Sequence, residues 1–261
     1  MDKSLTENRS TSQQTLSKVP QITAFFWITK VLTTGMGETF SDFLVHLPHP
    51  VIPVALAGLV LIASLILQFS VKRYIAWIYW LCVVMISVVG TMVADVLHHG
   101  MGIPYSISTT FFLVALAVIF TVWYVFEKTL SIHSIYTRRR ELFYWAAVLA
   151  TFSLGTAAGD LTATTMNLGY FSSGVLFVVL IAIPAFAYGL FHLNEIFTFW
   201  FAYIVTRPLG ASFSDWFAVA HSRGGLGLGT GPVSLFLSVV ILALVGYLSF
   251  TRRDAQNILQ S

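Results

Sequence analysis

The stretch WAAVLATFSLGTAAGD, residues 145–160, decides the fold. It is an apolar run of helix length that ends on an acid. Trp145 is followed ten residues later by Gly155, and five residues after that by Asp160. The same spacing recurs without slippage at Trp27, Gly37 and Asp42, at Trp80, Gly90 and Asp95, and at Trp200, Gly210 and Asp215. A spacing kept four times marks an internal repeat. Each copy carries an aspartate inside or at the edge of an apolar helix, where an acid is costly and by default marks a functional site.

The composition sets the environment. Hydrophobic residues make up 57% of the 261 residues, charged residues 10%, and the mean hydropathy is +0.81. A soluble domain of this length cannot hide so much apolar surface, so an all-α polytopic membrane protein is expected. The net charge of +3 gives no nucleic-acid face. The single cysteine, Cys82, excludes disulfides and cysteine metal cages. Residues 1–20, rich in Ser, Thr and Gln, read as a disordered cytoplasmic tail, and 251–261 as a second tail.

Apolar runs over 51–70, 74–97, 106–127, 142–161, 172–192, 196–217 and 231–250 predict seven spans. Segment 22–45 holds Lys30, Glu38 and Asp42, which lower its hydropathy, but it carries the first copy of the pattern and must match 74–97. Eight transmembrane helices follow, in four tandem two-helix repeats over about 22–70, 74–127, 142–192 and 196–250 within one domain, 21–250. Basic residues cluster before helix one and after helices two, four and eight. The loops after helices one, three, five and seven hold only Arg223. The positive-inside rule then puts both termini in the cytoplasm. Units of two spans keep their orientation, so they are related by an axis along the membrane normal and their aspartates share one depth.

The residues before each acid explain how the acids meet. Gly37 and Ser41, Gly90 and Ala94, Gly155 and Gly159, and Gly210 and Ser214 are small residues four apart, a spacing that lets membrane helices approach closely. Gly37, Gly90, Gly155 and Gly210 are therefore read as packing positions. Once the odd helices gather, Asp42, Asp95, Asp160 and Asp215 surround a common space. At ~6 Å and an effective dielectric of ~20, each ionised pair repels by roughly 3 kcal/mol. Such a ring binds a cation, holds protons or recruits bases. Lys30 and Arg207 are the bases within the odd helices, and Glu38 is either a gating or proton-carrying acid or the partner of Lys30. His46 and His99 each follow an aspartate by four residues, the spacing of one helical face, and are candidate outer metal ligands. Thr33, Thr34, Ser87, Thr151 and Thr206, one turn before the glycines, either line a polar path or bond their own backbone. At the other end, Glu127 with His133 and His192 with Glu195 are candidate exit groups. The tryptophans read as interfacial anchors or packing posts.

Four tandem two-helix units with this pattern resemble a bacterial family of membrane proteins described as four repeats of unknown function, each with two spans and a tryptophan. The resemblance covers about residues 22–250. It implies a multi-pass protein of the bacterial inner membrane and carries no activity with it. No nucleotide loop, zinc-protease motif or nucleophile elbow is present, so no enzyme is expected. The expectation is a secondary transporter or exporter of a small inorganic cation, a divalent metal, with proton exchange on the aspartates. No cofactor is held permanently; the lipid bilayer is the other partner, and a homo-oligomer is left open. The alternatives are a passive cation channel and a non-transporting protein whose aspartates knit helices together.

Overall fold

The computed structural model describes residues 17–191 and 194–254. Among them are eight α-helices: α1 (Ala24–Val45), α2 (Val51–Ser70), α3 (Ala76–Asp95), α4 (Tyr105–Glu127), α5 (Arg138–Asp160), α6 (Tyr170–Phe191), α7 (Glu195–Ala218) and α8 (Thr230–Thr251). A π-helical turn extends α3 over Val96–Gly100 and another extends α5 over Leu161–Thr165. Local chemistry sets the boundaries. Thr23, Thr137 and Asn194 cap the first turns of α1, α5 and α7 by accepting hydrogen bonds from backbone amides. Left-handed residues end α4 at Lys128 and α8 at Arg252.

Helices α1, α3, α5 and α7 form a closed ring in which each packs on two others in that order, α7 returning to α1. The remaining four pack outside it. The main packing of each outer helix is offset by one unit. Helix α2 packs mainly on α3, α4 on α5, α6 on α7, and α8 on α1. Every outer helix thus staples its own repeat to the next, and the last staples to the first.

The repeat glycines make the ring tight. A Cβ at Gly37 would collide with Ser87, at Gly90 with Phe152, at Gly155 with Arg207 and at Gly210 with Thr34. Each partner stands three residues before the next repeat's glycine, so one contact is used four times around the ring. Backbone bonds reinforce it: Ser87 Oγ donates to the Thr33 carbonyl (2.9 Å) and Ser153 Oγ to that of Gly90 (3.0 Å).

The distribution of polarity is inverted relative to a water-soluble fold. Thr29, Lys30, Thr33, Glu38, Thr91 and Arg207 are buried in the centre, while Leu59, Ile62, Phe111, Val118, Leu235 and Leu242 are exposed on the outer helices. Among the described residues, five helical segments are long and apolar enough to cross a membrane: Val51–Ser70, Ala76–Gly100, Tyr105–Glu127, Arg138–Thr165 and Thr230–Thr251. Helices α1 and α7 are as long, 22 and 24 residues, but their central charges reduce their hydropathy. Those charges face the ring interior.

The tails begin later than composition suggests. Residues 1–16 and 255–261 lie outside the described residues, but Ser17–Val19 are buried and hydrogen-bonded to the bundle. Lys18 Nζ pairs with the buried Glu141 carboxylate at 2.5 Å, and Gln68 Nε2 donates to the same group at 2.9 Å. Tyr74 N donates to the Ser17 carbonyl, Lys18 N to that of Ile135 and Gln21 N to that of Asp254. Segment 17–21 is therefore a strap across the end of the bundle where α1 begins and α8 finishes.

Candidate functional site

The ring interior is built in levels four residues, about 6 Å, apart along each inner helix. The central level follows each repeat glycine directly and consists of Glu38, Thr91, Thr156 and Ala211, all buried. Arg207, from one turn earlier on α7, enters the same space with no exposure. Its Nη2 donates to Glu38 Oε2 at 2.6 Å and to Thr156 Oγ1 at 2.8 Å, and also to Thr91 Oγ1. Both threonine hydroxyls in turn donate to Glu38 Oε2, at 3.2 and 3.1 Å. Nη1 donates to the Thr34 carbonyl at 3.1 Å. All four inner helices are thus joined through one buried ion pair, which fills the centre.

Lys30 does not partner Glu38, contrary to one expectation from the sequence, because Arg207 holds that carboxylate. The ammonium group stands two turns before Glu38, 3.7 Å from the centroid of the Tyr203 ring and 4.9 Å from that of Phe152. It is buried and its nitrogen makes no hydrogen bond. Aromatic faces are its only described neighbours of opposite character.

The four repeat aspartates lie one turn beyond Glu38, Thr91, Thr156 and Ala211, so the i to i+4 geometry aims them at the same space. Each lies within electrostatic reach of Glu38 and Arg207. Asp215 is buried; Asp42, Asp95 and Asp160 are half-buried. Asp95 Oδ2 and Asp215 Oδ1 are enclosed without a hydrogen-bond partner. Such orphan acceptors are expensive, and they do not act as helix-to-helix ties.

The rim of this acidic end is aromatic and basic. Tyr105 faces Asp160, and its ring stacks on His98 at 3.5 Å. Arg223, from the loop before α8, donates to the Tyr170 hydroxyl at 2.8 Å. Tyr170, with Asp215 and Asp42 also near, holds the Arg223 guanidinium above its ordinary pKa against the cost of burial. The two histidines expected beside the acids are engaged otherwise. His46 Nδ1 bonds the Asp42 carbonyl at 2.6 Å, and His99 is exposed with the Tyr105 hydroxyl 3.5 Å from Nε2. Among the described residues, no three His, Cys, Asp or Glu side chains are grouped as metal ligands would be. In this arrangement the aspartates form an acidic level one turn beyond the Glu38–Arg207 pair.

The threonines before the glycines mostly bond their own helices: Thr33 to Lys30, Thr34 to Val31, Thr151 to Val148 and Thr206 to Ala202, each through the backbone carbonyl. At the opposite end Glu127 is held by Arg139 and Arg140 in place of His133. The arginines follow within one turn of each other on α5 and reach it together. His133 lies 3.6 Å from Glu195 on an exposed surface, and His192 lies outside the described residues.

Sequence reasoning missed three features: the Thr91–Thr156 contribution to the central pair, the stapling offset and the Lys18–Glu141 latch. A signal for the first was available, because Glu38, Thr91, Thr156 and Ala211 occupy one repeat position.

Neither a search of curated proteins nor one of solved structures gives a match. A family model does match, four times, at residues 25–74, 78–129, 143–192 and 198–254. Each match takes in most of one inner and one outer helix, and together they cover the greater part of the sequence. The chain therefore belongs to the family described as Repeat of Unknown Function (DUF347).

Proposed function

We propose that this chain is a multi-pass membrane protein, its four two-helix units arranged around the membrane normal, that moves a small cation by secondary transport. In this reading the acidic vestibule of Asp42, Asp95, Asp160 and Asp215 attracts the cation, a divalent metal ion, and exchanges it for protons. The Glu38–Arg207 pair is the closed gate beneath it. Loop charge supports an orientation with both termini in the cytoplasm of a bacterial cell and the vestibule facing out.

One observation carries the reading: four acids converge above a sealed ion pair, with Asp95 Oδ2 and Asp215 Oδ1 buried and unpartnered. A group that only knits helices would be expected to spend its acceptors on another helix. Glu38 does that, and these oxygens do not. The alternative of a passive channel with an acidic ring is disfavoured by the filled centre.

The test is flux into proteoliposomes containing the purified chain, with Mn²⁺ as the probe, for wild type, Asp95→Asn and Asp160→Asn. Saturable uptake lost in both variants, with both still inserted and folded, supports the reading. Wild-type uptake in both variants overturns it, and non-saturating uptake without proton movement points to the channel.

A further inference from the structure

The ring closes where α7 meets α1, and the strapped half of that seam holds a groove. Its volume is about 700 Å³, within the range of about 300–1,000 Å³ over which one small molecule is enclosed. Helix α7 forms the floor from Glu195 to Leu209, with Ala202 midway. Val31 of α1 stands on one side and Ile181 of α6 on the other. Val31, Ile181 and Ala202 are half-buried, so the groove is open along its length. Among the described residues, no side chain fills it.

The floor gives water little to hold. Thr198 Oγ1 donates to the Asn194 carbonyl at 3.1 Å and Thr206 Oγ1 to that of Ala202 at 2.5 Å. Trp200 Nε1 donates to the Leu130 carbonyl at 2.9 Å. An apolar space whose polar atoms are already bonded stays dry. Residues 195 to 209 span about 21 Å of helix, against about 15 Å for the hydrocarbon of one leaflet. One extended acyl chain therefore has room to lie along α7.

Charge is confined to one end of the groove. His133 Nε2 stands 3.6 Å from Glu195 Oε1, and both side chains are exposed. An acid beside an imidazole is complementary to a headgroup that carries both an ammonium and a phosphate. The ammonium pairs with the Glu195 carboxylate, and the phosphate accepts from the His133 ring. A headgroup with only negative charge meets repulsion from Glu195. The loop charges put this end on the cytoplasmic side, which is the level of inner-leaflet headgroups.

We propose that the groove binds a zwitterionic phospholipid of the inner leaflet, with the chemistry of phosphatidylethanolamine. One acyl chain lies along α7 between Val31 and Ile181, and the headgroup rests on His133 and Glu195. The proposal takes its bilayer from the multi-pass reading and is independent of what the chain transports. The lipid lies on the seam between the first and fourth repeats, so its binding strengthens ring closure. Anything that binds the folded chain and not the unfolded one raises stability with ligand concentration.

The test is thermal unfolding of the full chain, delipidated in detergent and titrated with dioleoyl-phosphatidylethanolamine or dioleoyl-phosphatidylglycerol in mixed micelles. The wild type should gain melting temperature saturably with the first lipid and less with the second. Ala202→Trp, whose ring fills the groove, should start at the wild-type melting temperature or above it and lose the gain. Should Ala202→Trp fail to insert, Ile181→Trp takes its place. Glu195→Gln should raise the half-saturating concentration of phosphatidylethanolamine by up to about fivefold, the range of an exposed ion pair. Native mass spectrometry should find phosphatidylethanolamine retained on the wild type and lost from the filled variant. Equal gain and retention in the wild type and the filled variant overturn the site. Equal gains from the two lipids, unmoved by Glu195→Gln, overturn the headgroup assignment and the proposal with it. A chain that stays in solution without detergent removes the multi-pass reading itself, whereas absent lipid binding in a detergent-requiring chain overturns the groove alone.

Discussion

The Phe199 ring of the fourth repeat lies 5.8 Å, centroid to centroid, from Trp27 of the first. It closes a series that runs around the whole molecule. In each repeat the residue before the tryptophan packs on the tryptophan of the next: Phe26 on Trp80, Tyr79 on Trp145, Tyr144 on Trp200. Trp80, Trp145 and Trp200 are buried, so these side chains are posts of the ring and not belt anchors at a membrane surface. Aromatic pairs at this spacing add about 0.5–1.5 kcal/mol beyond burial.

Removing the closing pair is therefore expected to open the ring where chain connectivity does not hold it. Phe199→Ala should cost about 3–5 kcal/mol. Thermal unfolding in detergent measures it against Trp77→Ala, whose ring is half exposed and should cost little. Equal shifts in the two variants would show that the closure contributes nothing of its own.

The glycine contact predicts a second, sharper contrast. Gly210→Val places a methyl group against Thr34 and should destabilise by about 1–3 kcal/mol or more. Gly58→Val on α2 meets open space and should leave the melting temperature nearly unchanged, apart from helix propensity. Thr34→Ala removes the Oγ1 collision that Gly210→Ala creates but leaves the close approach to Thr34 Cβ and the Val31 carbonyl, so the pair should recover only part of the stability that Gly210→Ala alone loses.

Much of this architecture was legible because one spacing is repeated four times. Trp80, Gly90 and Asp95 mark a register, and the register aligns 22–45 with the more apolar helices despite Lys30 and Glu38. The equivalent positions of the four aspartates along their helices follow from the same count. The offset of α2 onto α3 was not legible, because hydropathy says that a helix has an apolar face and not which neighbour covers it. The partner of Glu38 was misleading for a related reason. Lys30 and Glu38 are eight residues apart on one helix, and sequence proximity favoured that pair over Arg207, which is brought close only by closure of the ring. Lys18 had no visible cue at all, since Glu141 is far away in the chain and a polar, low-complexity start reads as tail.

The central ion pair carries a third prediction. Arg207→Met leaves Glu38 buried with two threonine donors and no counter-charge. Breaking a buried pair from one side costs about 3–5 kcal/mol, whereas removing both charges is often neutral or stabilising. Glu38→Gln/Arg207→Met should therefore be more stable than Arg207→Met alone. Thermal unfolding of the two singles and the double supplies the cycle. A double variant as unstable as the sum of the singles would mean that the pair is not the principal partner of either group.

The strap supplies a pH-dependent prediction from groups beyond the apolar helices. Burial raises the Asp254 carboxyl above its ordinary 3.8, while the Tyr74 hydroxyl bond works in the opposite direction. Burial and the nearby carboxylate likewise push the Tyr74 phenol upward, so it remains a donor throughout. Between 3.8 and the raised value the folded chain holds a proton that the unfolded chain has lost. Its stability therefore falls as pH rises through that window. The backbone bond from Gln21 to Asp254 ties this titration to the strap. Hydrogen exchange at residues 17–23 should therefore accelerate as pH is raised from 3.8 through the window, after correction for the intrinsic pH dependence of exchange. Asp254→Asn removes the titration and should make the corrected rate flat. A corrected rate that changes equally in wild type and Asp254→Asn would locate the pH response elsewhere.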